Sequence, residues 1–285
     1  MDNRPVLFLD SGIGGLPYCH QFCIRNPGET VIYTADRGNF PYGTRGKDEL
    51  IGLLTALVAR LDAEFHPKLA VVACNTASVS AIDALRSAFP KIPWVGTVPA
   101  VKPAVTESRA RHIGVLGTER TIEDPYIAEL AAKYNGDCAV SGIAAPDLVR
   151  FVEAGGDTAG FSDQRRAVAP YIEAFRQKGA DGIVLGCTHF LFLLDAFKAA
   201  AAPDIRIYDS VDGVSRRAES LLDLNGLRAD DVLRNPADGP GNLLIVTGAA
   251  PLEKRWHERA AAFGLTLRLL DDETVLEKSI PEDAP

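Results

Sequence analysis

No run of the sequence reaches the ~18 apolar residues that a membrane-crossing helix needs. The most apolar stretch, 182–194, is interrupted by Thr188 and His189 and ends before Asp195. The N-terminus reads MDNRPVLFLD, with an acid at position 2, and has none of the marks of a secretory signal. No membrane association is therefore expected. Cysteines are few, five in 285 residues, odd in number and widely spread. That excludes a disulfide framework and predicts a reducing, cytoplasmic setting. Positive charge is in deficit: 30 Lys and Arg against 38 Asp and Glu leave a formal net charge of −8. A general basic face is absent, so no direct contact with nucleic acid is expected. P-loop, zinc-protease and serine-elbow motifs are missing too. Cys19, His20 and Cys23 share a predicted helix, but no second ligand pair has metal spacing. They read as packing, and no metal site is expected.

What the chain does have is a recurring unit of short apolar strand, turn and helix. Strands are predicted over 6–9, 31–34, 69–73, 94–98, 113–116, 183–185, 205–208 and 243–247, most of them unbroken Val/Ile/Leu-rich runs. Such runs read as strands covered on both faces. Helices are predicted over 47–64, 78–89, 164–178 and 190–200. The alternation predicts an α/β fold with mainly parallel sheets, in which ligands gather at the carboxyl ends of strands. Crossings between two α/β halves are placed at 97–99 and 208–210, and the last residues, 281–285, read as frayed.

One internal echo points to chemistry. Residues 69–78 read LAVVACNTAS and residues 183–190 read IVLGCTHF. Each is a buried strand running into a small residue, then Cys, then Thr, then a helix. A thiol at a helix N-terminus is expected to have a lowered pKa, because the helix dipole and free amides favour the thiolate. Asn75 or Thr76 is predicted to cap the helix after Cys74, and Thr188 the helix after Cys187, with His189 able to take or hold that thiol's proton. Taken singly, either Cys reads equally as a buried structural thiol, and His189 as a satisfied core residue. Two opposed thiols facing one cleft would suit inversion at carbon, one removing a proton and the other returning it on the opposite face.

Three further segments lie at strand ends. Asp10-Ser11-Gly12-Ile13-Gly14-Gly15 reads as an anion or ammonium site or simply as a capped turn, and it lacks the dinucleotide-binding G-x-G-x-x-G spacing. Phe40-Pro41-Tyr42-Gly43 reads as a turn or as a carboxylate holder. Thr118, in VLGT, offers another strand-end hydroxyl, whereas Glu153, in LVRFVEAGG, reads on its own as a solvated helix face.

In order, DSGIGG (10–15), FPYG (40–43), ACNTAS (73–78), VPAVKPA (98–104), VLGT (115–118) and LGCTHF (185–190) resemble the glutamate racemases of the Asp/Glu racemase superfamily. The likeness runs from residue 10 to about residue 210, with a weaker one at the VTG of 246–248. It implies two pseudo-symmetric Rossmann-like domains, residues 1–97 plus 211–285 and residues 98–210, with the site in the cleft between them. It implies interconversion of L- and D-glutamate without a cofactor, supplying peptidoglycan, by a homodimer. Carried over residue by residue, Cys74 would take the α-proton of D-glutamate and Cys187 that of L-glutamate. Asp10 would assist Cys74, and His189 and Glu153 would assist Cys187. Substrate would be held by Asp10, Ser11, Pro41, Tyr42, Gly43, Asn75, Thr76, Thr118, Thr188 and His189. Two alternatives stay open: another racemase of the superfamily, acting on aspartate or hydantoins, and a binding protein on the same scaffold, such as a DNA gyrase inhibitor.

Overall fold

The computed structural model describes residues 2–135, 137–229 and 241–270. Among the described residues ten strands occur in chain order: β1 (Val6–Asp10), β2 (Val31–Ala35), β3 (Leu69–Val72), β4 (Trp94–Gly96), β5 (His112–Gly117), β6 (Ala139–Ala144), β7 (Gly182–Leu185), β8 (Arg206–Tyr208), β9 (Leu243–Thr247) and β10 (Thr266–Leu270). They form two sheets, β10-β9-β2-β1-β3-β4 and β6-β5-β7-β8, and every strand pair is parallel. β1, β2, β3, β7 and β9 are buried at every position. That is the burial expected of unbroken apolar strands covered by helices on both faces. The expected frayed end, 281–285, lies outside the described residues.

The first sheet joins strands from before residue 97 with β9 and β10 from beyond residue 242. The helix Val211–Leu224 packs beside Leu16–Arg25 in the first half, tied by Arg25–Glu219 at 2.5 Å and Tyr18–Ser210 at 2.8 Å. On this pairing we propose the division into 1–97 plus 211–285 and 98–210. One apolar core runs through both halves, joining Val6, Phe8 and Leu16 to Leu148, Phe190 and Phe197.

Two strands escape the sequence-based reading, β6 and β10. Both are edge strands and only partly buried, and their Ser, Gly and Arg residues break the apolar run that marks the central strands. The helix after Cys74 begins at Asn75, so Asn75 and Thr76 lie inside it rather than capping it. The single helix expected over 190–200 is instead a 3₁₀ turn, Thr188–Leu193, followed by an α-helix, Leu194–Ala201. Thr188 makes no helix cap, because its hydroxyl is drawn across to Asp10.

Lys68, just before β3, is wholly buried and pairs with the buried Glu29 at 2.5 Å. Removing one partner of such a pair strands the other charge in the interior. Lys68→Ala is therefore expected to cost about 3–5 kcal/mol of stability, measured by urea denaturation.

Candidate active site

The two sheets turn their carboxyl ends toward each other, and a cavity of about 210 Å³ lies where they meet. Asp10 ends β1, Cys74 comes after β3, Thr118 after β5 and Cys187 after β7, and all four line it. So do Ser11, Pro41, Tyr42, Gly43, Asn75, Thr76, Thr188 and His189. Of the site residues expected from the sequence, Glu153 alone is not on the wall. It lies behind His189, its Oε1 2.8 Å from His189 Nε2.

On the Cys187 side a chain of contacts runs inward. Cys187 Sγ is 3.8 Å from His189 Nδ1, and the other ring nitrogen meets Glu153, whose Oε1 also accepts the Ile13 N–H at 3.0 Å. Burial alone would lower the His189 pKa, but its bonds to Cys187 and Glu153 override this and hold it well above 6.5. Burial likewise opposes ionisation of Glu153, yet His189, the Ile13 N–H and Arg259 bring its pKa below the usual glutamate value. His189 is thus an imidazolium between a carboxylate and a sulfur. Glu153 is partly buried and turned inward to His189, contrary to its reading as a solvated helix face. It sits on a π-helical turn, Val152–Gly156, whose Glu153 carbonyl accepts from Arg255 and Arg259 of the first half.

The Cys74 side differs. Asp10 is fully buried and accepts from the Ser11 N–H at 2.6 Å and from the Thr188 hydroxyl at 2.9 Å. Burial raises its pKa, against the pull of His189, Thr188 and Ser11. Cys74 contradicts the expectation of a lowered pKa: it is pushed well above the ordinary thiol value. Desolvation is the largest cause, with Asp10 and Cys187 adding like charge, and the one helix amide that helps, Ala77 N–H, is outweighed.

Asn75 is the most informative wall residue. Both polar atoms of its side chain are buried without a protein partner, at the start of the helix Asn75–Ala88. An amide left so is costly unless something polar enters the cavity to meet it. Thr76 and Thr118 reach each other across the cavity at 3.0 Å, one from each half. Tyr42 commits its hydroxyl to Asp36 at 2.7 Å, and Thr247 donates to the same carboxylate at 2.6 Å. Its phenol is therefore occupied in holding the loop, rather than free for a ligand.

Phe40, in the segment singled out from the sequence, also lines the wall, its ring 6.0 Å from that of His189; Pro146, Val149 and Arg150, on the helix Pro146–Phe151, were not found from sequence. The available signal was spacing, since Val149 and Glu153 stand four apart, one helical turn. Gly12 and Gly14 of the first loop allow close packing between the halves. A Cβ on Gly12 would lie 2.1 Å from Glu153 Oε1, and one on Gly14 would lie 2.3 Å from Thr188 Oγ1 and 2.7 Å from His189 Nδ1. Gly14→Ala is expected to push His189 off its present position and lower kcat about a hundredfold, since misplacement of about 1 Å has that effect. Steady-state kinetics beside a thermal melt would check it.

Among the described residues no group of three or more His, Cys, Asp or Glu is placed to hold a metal ion, and no helix is long and apolar enough to cross a membrane. Residues 24–217 match the model of the Asp/Glu/hydantoin racemase family. The chain is similar to the glutamate racemase of Treponema pallidum, 40% identical over 75% of this chain and 80% of that one. It is similar to that of Herpetosiphon aurantiacus, 38% identical over 88% of this chain and 95% of that one. Its fold is similar to the crystal structure of Escherichia coli glutamate racemase in complex with L-glutamate and the activator UDP-MurNAc-Ala. That likeness has a TM-score of 0.79 and 30% identity, over 94% of this chain and 98% of that one.

Proposed function

We propose that this chain, which belongs to the Asp/Glu/hydantoin racemase family and acts as a glutamate racemase, passes the α-proton of glutamate between the thiols of Cys74 and Cys187. The observation that carries the mechanism is the placing of both strand-end thiols on one cavity, each with a different partner. His189, 3.8 Å from Cys187, is placed to orient that sulfur and to exchange a proton with it. Cys74, beside a buried carboxyl, keeps its proton. With L-glutamate, Cys187 removes the α-proton from one face and Cys74 delivers its own to the other. With D-glutamate the roles exchange, and Asp10 supports the developing thiolate of Cys74 by accepting its proton or by pairing with the substrate ammonium.

The carbanion between these two steps is stabilised by drawing charge into the α-carboxylate. The unpartnered Asn75 amide and the amino end of its helix supply donors there, with Ser11, Thr76 and Thr188. Backbone N–H groups at Tyr42 and Gly43, with Thr118 opposite, hold the remaining substrate carboxylate.

Incubation with each enantiomer of glutamate and aspartate and with a 5-substituted hydantoin, followed by polarimetry, tests the substrate. Loss of optical activity with glutamate alone is expected, and turnover of aspartate or hydantoin at a comparable rate would overturn the choice. The same reading extends to a cytoplasmic homodimer that supplies D-glutamate for peptidoglycan. It predicts rescue of a D-glutamate-requiring bacterium and a dimer mass in sedimentation.

A further inference from the structure

We infer that Arg259 is a positioning residue for the Cys187 half of the reaction, setting His189 through Glu153. Arg259 lies on the helix Lys254–Ala262, next to the edge strand of the first half, yet its side chain is buried against the turn that carries Glu153 in the second half. Its Nε and Nη2 form a fork on the Asp157 carboxylate at 2.9 and 3.1 Å. Nη2 also reaches the backbone carbonyls of Val152 and Glu153, each at 3.2 Å. Nη1 has no hydrogen-bond partner and stands 3.6 Å from Glu153 Oε2. One guanidinium therefore grips both ends of the turn and faces the Glu153 oxygen that His189 does not use. Arg255, on the same helix, adds a 3.0 Å bond to the Glu153 carbonyl from the outside.

The consequence is a connection of charges across the two halves: Arg259, Glu153, His189, Cys187. Every link is shorter than 4 Å. Among the described residues nothing comparable supports Cys74, whose neighbour Asp10 is held by Ser11 and Thr188. Loss of the guanidinium frees the turn and the Glu153 carboxylate, so the imidazolium loses its fixed place and proton transfer at Cys187 slows. Transfer at Cys74 does not. Lysine cannot replace the fork, because a single ammonium cannot grip Asp157, two carbonyls and Glu153 together.

This inference rests on the two-thiol reading, and the test separates the two. Because a racemase must keep the same ratio of kcat/KM in both directions, the readout is the pair of primary isotope effects. They are measured on kcat/KM with [α-²H]-L-glutamate, whose deuterium goes to Cys187, and [α-²H]-D-glutamate, whose deuterium goes to Cys74. In Arg259→Gln, kcat is expected to fall about tenfold or more, the L-glutamate effect to rise and the D-glutamate effect to shrink. Arg259→Lys, which keeps the buried charge, is expected to move both effects in the same directions by less, and it carries the test if Arg259→Gln does not fold. Isotope effects that stay at wild-type values in the folded variants, whatever the loss of rate, would overturn the role of Arg259. A wild-type protein whose Cys187→Ala variant still racemises would instead overturn the two-thiol reading.

Discussion

Cys74→Ala and Cys187→Ala should each reduce racemisation of glutamate by at least about 10³-fold, within the range set by loss of a positioned acid or base. Each thiol is the only group of its kind on its side of the cavity wall among the described residues: Asp10 stands with Cys74, and His189 with Cys187. Because both thiols serve in both directions, once as acid and once as base, each substitution must silence both directions alike. A double variant should be no slower than either single one, since one missing base already breaks the proton's path. Both residues are buried, so a melting curve accompanies each assay. Loss of a thiol removes about one methylene-sized group and leaves the apolar wall largely intact.

Glu153→Gln is the second large effect. The variant keeps the volume but removes the charge that faces His189 Nε2 at 2.8 Å. We expect kcat to fall about a hundredfold with little change in KM, because the substrate does not touch Glu153. A stability signature should accompany it. His189 has a folded pKa raised above the 6.5 of a free imidazole. It therefore contributes stability that is complete below 6.5 and is lost as pH rises through the folded value. Without Glu153 the folded value lies nearer to 6.5, so that loss is over at a lower pH. Urea midpoints from pH 6 to pH 9 should show the gap between wild type and variant closing as pH rises. A gap that widens with pH would contradict the assignment of His189 as an imidazolium.

Burial decides how much of this was legible in the sequence. The central strands announced themselves because both faces are covered, so β1, β3 and β7 read as unbroken apolar runs. The wall residues were legible because parallel strands bring the residues at their carboxyl ends to one rim, and CNT and CTH stand at two such ends. The edge strands β6 and β10 stayed hidden because half-exposed positions accept polar residues. The pKa of Cys74 was misread because a helix amino end is a short-range influence. Desolvation and the Asp10 carboxylate depend on what the other loops bring up against the thiol. Glu153 and Arg259 were invisible as a pair for the same reason. They are 106 positions apart and meet only after β9 and β10 have closed the first sheet.

The central claim is that two different thiols handle the proton on opposite faces of one carbon. The most direct measurement is racemisation of L-glutamate in D₂O, stopped within the first turnovers, with α-deuterium measured separately in each enantiomer. Two thiols predict deuterium in nearly every D-glutamate formed while the remaining L-glutamate keeps its hydrogen, with the mirror result from D-glutamate. Product that retains the substrate's own hydrogen, or deuterium entering both enantiomers equally from the start, would mean that a single group serves both faces, and the account would fail.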